Sequence, residues 1–125
     1  MIKPDGVKRK LIGEIINRVE NDGFKIVDMN FTRLARQQVA KFYNIHKGKD
    51  FFKPLVDSII EGPVLALLLR RKNGQKRLRE LVGATDPKKA KKGTIRGDFG
   101  TSTRRNVVHA AHPQENPQRE IEFFF

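Results

Sequence analysis

At 125 residues with 38% hydrophobic content, the chain has material for one domain, residues 1–125, with a modest core. It carries no cysteine, which excludes disulfides and thiolate metal sites, and its three histidines, His46, His109 and His112, are too widely spaced to read as a metal cluster. The net charge of +12 favours polyanionic ligands, and with neither a membrane-length apolar run nor an apolar N-terminal stretch the expectation is a cytoplasmic protein with no membrane partner.

In chain order, Met1 to Asp5 reads as the end of a strand that enters a turn at Pro4-Asp5-Gly6. Leu11, Ile12, Ile15, Ile16 and Val19 recur at helical spacing and Asn21-Asp22-Gly23 supplies a stop, which predicts an amphipathic helix over 11–22. Phe24 to Phe31 is rich in strand formers, but its apolar residues change parity midway, which implies burial on both faces or a bulge. Helices follow over 36–43 and 51–60, the second with Phe51, Phe52, Leu55, Val56, Ile59 and Ile60 on one face. Gly62-Pro63 stops that helix, and VLALLL at 64–69 suits a central strand. A short helix over 75–82 leads into a Pro/Lys/Gly-rich connection reaching Gly93, long enough in a small domain to suggest function. Residues 106–108 read as a short strand, 114–119 as a helical turn and 121–125 as a last strand.

That order of elements is an α+β pattern. It predicts a ferredoxin-like split βαβ sandwich, a four-stranded antiparallel sheet covered by helices on one face, with a long functional loop before His109. Such folds host many functions, so the function must come from a site.

Charge and motif both direct attention to the second half. The excess of basic over acidic residues is +4 in 1–69, +10 in 70–105 and −2 in 106–125, so the positive field belongs to the middle-to-late segment. Either a nucleic-acid backbone or a triphosphate would suit it. From Thr94 to Glu120 one stretch contains a cation (Arg96), an acid in a buried-looking setting (Asp98), an amide (Asn106), a histidine after an apolar pair (His109) and a later carboxylate (Glu120). That combination suggests a phosphate-handling site with His109 at its centre.

IKPDGV at 2–7, FF at 51–52, GPV at 62–64, GATDP at 83–87, GTIRGDF at 93–99 and NVVHA at 106–110 resemble the nucleoside diphosphate kinase family over essentially the whole chain. The resemblance implies transfer of the γ-phosphoryl group of ATP or another nucleoside triphosphate to His109 and then to a nucleoside diphosphate, with Mg²⁺ held mainly by the nucleotide phosphates. It implies that Glu120 orients the histidine, that Tyr43 supports the phosphate geometry, and that Lys3, Arg79, Thr85 and Arg96 meet phosphates. Asn106 with Lys3 would hold the sugar. Phe51 would stack on the base, although helical spacing alone gives it core packing with equal weight. It further implies a homo-oligomer, hexameric or tetrameric, built from a common dimer, in which the apolar Phe123-Phe124-Phe125 end is covered.

This chain departs from the family's pattern after the histidine, where Ala110-Ala111-His112-Pro113 lacks a serine whose hydroxyl helps position the glutamate. Losing one hydrogen bond to a charged group costs about 1.5–3 kcal/mol, enough to slow turnover without removing the nucleophile. Thr103 and Arg104 depart from an apolar or glycine-containing base pocket, and the chain starts close to the motif lysine. Two other readings fit the same residues: a nucleotide-binding homologue with weakened catalysis, and a basic nucleic-acid-binding module using the 70–105 cations. Against the latter, VLALLL carries no aromatic for base stacking, which leaves only weak nonspecific nucleic-acid affinity as an expectation.

Overall fold

The computed structural model describes residues 1–125, whose elements run α1 (Pro4–Lys8), α2 (Ile12–Asn21), β1 (Lys25–Thr32), α3 (Arg36–Phe42), a 3₁₀ turn (Asn44–His46) and α4 (Phe52–Ile59). They continue as β2 (Val64–Arg70), α5 (Gly74–Val82), α6 (Ile95–Phe99), a second 3₁₀ turn (Pro113–Glu115) and α7 (Pro117–Phe124). No helix is long and apolar enough to cross a membrane.

The architecture is α+β with an antiparallel sheet, as expected, but the regular sheet has two strands where four were predicted. β1 pairs with β2 from Lys25 opposite Arg70 to Thr32 opposite Val64, and the register slips between Ile26 and Asp28. The slip is the bulge that the parity change foretold. Two of the other three expected strands are reduced to single antiparallel bridges, Ile2 with Leu65 and Ile2 with Val108, so the lateral order is β1, β2, Ile2, Val108.

The shortened strands have local causes. Pro4 fixes its φ at a helical value and lacks an N–H that a first helical turn does not need, so Pro4-Asp5-Gly6 opens α1 instead of making a turn. Val107 adopts φ 76°, a left-handed conformation that ends any ladder at 106–108. The predicted last strand, 121–125, is instead α7. Asn116 caps it, with its side chain accepting from the Arg119 N–H, and Pro117 starts it, so the three phenylalanines continue a helix already nucleated. Helix α6 was not foreseen; its start is set by Thr94, whose Oγ1 accepts from Gly97 N–H at 3.0 Å.

Helices cover both faces of the sheet, not one. Leu65 belongs to a core with Ile2, Ile15, Val19, Phe24, Val82, Ile95, Val107 and Val108, whereas its neighbour Val64 belongs to a second core with Leu34, Val39, Phe42, Tyr43, Val56 and Ile59. Successive strand residues point to opposite faces, so α2, α5 and α6 pack on one side of β2 and α3 and α4 on the other. The His109 segment emerges where the two cores meet.

Candidate active site

His109 is carried on an irregular segment that the N-terminal residues grip. Lys3 N–H donates to Val107 O at 2.8 Å, His109 N–H donates to Met1 O at 2.8 Å, and Asp5 Oδ2 accepts the Val107 N–H at 3.0 Å. A β-branched residue with left-handed φ costs on the order of 1–3 kcal/mol, and these bonds hold it there. Gly6 makes the approach feasible, since a Cβ would lie 3.0 Å from the Val107 carbonyl oxygen and 2.9 Å from Ile2 Cγ2.

The imidazole is walled by aromatic edges, the Phe42 ring centroid at 5.2 Å and that of Tyr43 at 5.6 Å, both T-shaped. Its Nε2 lies 2.5 Å from Glu120 Oε1, across from the first turn of α7. A carboxylate only accepts, so the proton of neutral His109 resides on Nε2 and the lone pair on Nδ1. Burial lowers the His109 pKa, and the Glu120 bond opposes that fall without cancelling it. The ring is therefore neutral at pH 7, as a nucleophile requires. Burial, reinforced by Glu120 and Glu115, pushes the Tyr43 hydroxyl far above its ordinary range, so it stays protonated.

A cleft of about 520 Å³ opens in front of His109, and its lining includes Lys3, Tyr43, Phe51, Arg79, Thr85, Arg96 and Asn106. Eight of the nine residues singled out in the sequence thus share one cavity, and the ninth, Glu120, stands behind the histidine. Lys3 Nζ donates to Asn106 Oδ1 at 2.9 Å and to Arg104 O at 2.6 Å, while Asn106 Nδ2 donates to Thr85 O at 3.0 Å. Burial, then the neighbouring arginines against the counterpull of Asp5, pushes the Lys3 ammonium down to about 8. Arg96 donates to Val108 O at 2.8 Å and Gly83 O at 3.2 Å, and its buried Nε has no partner. Burial and the adjacent Arg79 lower its pKa to about 10, which still leaves it charged at neutral pH. Arg79 reaches Ala110 O at 3.3 Å. The cavity is a preformed cationic groove ending on a neutral imidazole.

Phe51 is 44% exposed at the rim, so it is not core; Val56 and Ile59 fill the buried face of α4. Thr103, Arg104, His46, His112 and Glu115 also line the cleft. Asp98 is not a buried acid: it lies at the surface, accepts Arg18 Nη1 at 2.7 Å and Gly93 N–H at 2.8 Å, and so ties α2 to the start of α6. Among residues the sequence reading passed over, Asp5 supports Val107 and Arg119 donates to the Lys41 and Phe42 carbonyls, fixing α7 against α3. No spacing signal marked either, because both partners are backbone atoms brought together by folding. Ala111 lines an apolar cleft of about 360 Å³ behind the histidine together with Glu120, whose Oε2 is buried without a partner.

The sequence model of the family described as nucleoside diphosphate kinase matches residues 1–125. The nucleoside diphosphate kinase of Pelotomaculum thermopropionicum is 51% identical over 125 residues, which span 100% of this chain and 84% of that protein. The enzyme of the same name from Archaeoglobus fulgidus is 50% identical over 100% of this chain and 83% of its own length. Among solved structures, a halophilic nucleoside diphosphate kinase from Halobacterium salinarum in complex with CDP superposes with a TM-score of 0.95 at 40% identity, covering 99% of this chain and 83% of that one.

Proposed function

This chain belongs to the nucleoside diphosphate kinase family and is an enzyme of that type, and we propose that it exchanges phosphoryl groups between nucleotides through His109. The observation that carries the assignment of roles is the 2.5 Å contact of His109 Nε2 with Glu120 at the end of a cationic groove. In the first half-reaction the Nδ1 lone pair attacks the γ-phosphorus, an N–P bond forms, and the bond to the β,γ-bridging oxygen breaks. The nucleoside diphosphate leaves with that electron pair. Glu120 balances the positive charge that develops on the ring. In the second half-reaction a terminal β-phosphate oxygen of another diphosphate attacks phosphorus, the N–P bond breaks, and the ring returns to neutral.

Phosphoryl transfer spreads charge over oxygens, so positioned cations do most of the work. Lys3, Arg79 and Arg96 supply that charge, Thr85 adds a hydroxyl donor, and Tyr43 walls the ring. Asn106, with Lys3, meets the sugar hydroxyls. Phe51 offers its exposed face to the base, which tolerates any base because every base has a π-face. Enzymes of this type need a divalent cation, and Mg²⁺ wants near-octahedral oxygen ligands. The groove offers few carboxylates and many cations, so Mg²⁺ would be held mainly by the nucleotide phosphates rather than by the chain, and would supply neutralising charge there. The weakened-catalysis and nucleic-acid-binding readings are not favoured.

A homo-oligomer built from a dimer, hexameric or tetrameric, is part of the same proposal. It is supported by Val27, Met29 and Phe31, which are 42%, 53% and 60% exposed on β1, whose outer edge has no partner strand. The C-terminal phenylalanines contribute less than expected, since Phe123 and Phe124 pack on Phe42 at 5.1 and 5.4 Å within the chain. A cytoplasmic location belongs here as well.

Incubation with γ-labelled ATP and no acceptor tests the assignment. Acid-labile, base-stable label should remain on the protein, disappear in His109→Ala and be discharged by GDP. Folded protein that takes up no label would sink it.

A further inference from the structure

Beside the nucleophile lies a set of donor atoms that phosphoryl transfer does not use together. His109, Glu115 and Glu120 each present one metal-ligating atom, and these lie within 4.8 Å of one another. Glu115 ends the 3₁₀ turn Pro113–Glu115, and its Oε1 is 4.0 Å from His46 Nε2. His112 Nδ1 accepts the Gln114 N–H at 3.1 Å, which fixes that turn at the mouth of the groove.

Glu120 is 8% exposed and uses only one of its oxygens; Oε2 is buried with no partner. A buried carboxylate oxygen left unsatisfied is costly, and a cation that Glu120 held through both of its oxygens would satisfy it. Glu115 and Glu120 both favour positive charge on His109, against the neighbouring Met1 ammonium, which opposes it. Imidazole with two carboxylates, and a second imidazole alongside, is the donor set of Zn²⁺ and similar borderline ions, not the all-oxygen shell that Mg²⁺ prefers.

We propose that His109, Glu115 and Glu120 form a binding site for a Zn²⁺-type transition-metal ion, with His46 at its edge, and that its occupancy switches off the phosphoryl carrier. Metal bonds of about 2.0–2.2 Å set tetrahedral donors about 3.4 Å apart. The Glu115 side chain must therefore close by up to about 1.4 Å, and the Nε2 to Oε1 contact must open by about 0.9 Å. Both movements are within side-chain reach, because Glu115 sits on a surface turn.

The chemistry of the switch follows from the tautomer. Without metal, Nε2 carries the proton and Nδ1 the lone pair. When the metal takes Nε2, the Nε2–H bond breaks, an Nδ1–H bond forms through solvent, and the ring stays neutral with no net proton released. Nδ1 then has no lone pair to attack phosphorus. Metal bound at Nδ1 itself would block the same atom directly. Metal binding does not depend on the kinase reading, whereas its inhibitory consequence does.

Nucleotide-free protein titrated with Co²⁺, followed by its visible absorption, and with Zn²⁺, followed by calorimetry, tests the site. One ion per chain is expected, bound at least tenfold more weakly by Glu115→Gln, lost in His109→Gln and unchanged in His112→Gln. His46→Gln, a milder change, should weaken binding severalfold, and circular dichroism checks that each variant is folded. In a second readout, pre-bound Zn²⁺ should slow label uptake from γ-labelled ATP, EDTA should restore it, and Glu115→Gln should need at least tenfold more Zn²⁺, each compared with its own metal-free rate. No binding of either ion, or equal binding by wild type and Glu115→Gln or His109→Gln, overturns the proposal while label on His109 leaves the kinase reading intact. The predicted binding pattern in protein that never takes up label would support the site and remove the carrier role instead.

Discussion

Glu120 Oε1 meets His109 Nε2 at 2.5 Å although the two residues are carried by a helix and by an irregular segment eleven positions upstream. The contact decides which ring nitrogen is free. Glu120→Gln keeps the shape but removes the anion that balances the developing imidazolium. With a charged hydrogen bond worth about 1.5–3 kcal/mol, phosphohistidine formation should slow by about 10- to 100-fold. Rapid-quench labelling with γ-labelled ATP measures this, and an unchanged rate would contradict the role.

Ala111→Ser should act in the opposite direction. Ala111 and Glu120 line the same cleft behind the histidine, and Glu120 Oε2 is buried without a partner. A hydroxyl supplied at 111 would satisfy that oxygen and steady the carboxylate, raising turnover by up to about tenfold. Steady-state kinetics of the variant, with thermal melting alongside, reads both the activity and the gain in stability.

Lys3 gives the protein an alkaline signature. Its pKa is about 8 in the folded chain against 10.5 for an ordinary lysine, so between these values the unfolded chain binds a proton that the folded one lacks. Stability therefore rises with pH across that window on account of Lys3, and its unfavourable contribution is fully present below pH 8. The His109 pKa is also lowered, so its contribution is fully present above the ordinary imidazole value and is lost as pH falls from there through the lower folded value. Melting of wild type and Lys3→Met from pH 8 to about 10, above the range in which the buried Met1 ammonium titrates, should show the rise only in the wild type. Over the same interval KM for ATP should climb in the wild type as Lys3 loses its charge.

Gly97 is fixed by space. A Cβ there would sit 2.1 Å from the Lys91 carbonyl oxygen and 2.7 Å from Thr94 Oγ1, so Gly97→Ala must displace backbone and loosen the cap of α6. A cost of about 3 kcal/mol and a fall in Tm of about 10 °C are expected. Arg96 precedes Gly97 on the same helix, so ATP affinity should fall too, as equilibrium binding would reveal.

Phe51→Ala should separate binding from folding. The ring is 44% exposed at the groove's rim, so its removal should cost less than about 1 kcal/mol of stability. Base stacking is worth about 1–3 kcal/mol, so KM should rise about tenfold for purine and pyrimidine nucleotides alike, with kcat little changed. A large loss of stability with unchanged KM would return Phe51 to the core.

What the sequence by itself determined was the family's motifs and the regular elements with strong periodicity. GTIRGDF and NVVHA pointed to His109 and its cations, and α2, α4 and β2 follow from apolar spacing, because local side-chain pattern fixes which face is buried. The tertiary structure decided what depends on atoms distant in the chain. Val107 holds a left-handed φ only because Asp5 and Lys3 grip it, so no window of residues around 106–108 could have denied it a strand. The phenylalanines at 123–125 suit a strand by propensity, yet the Asn116-Pro117 cap and the anchoring of Arg119 on α3 commit them to a helix. The same helix delivers Glu120 to His109. Both residues were legible as types, but the choice of nitrogen, the neutral ring and the orphaned oxygen come from burial and distance, which only the folded chain possesses.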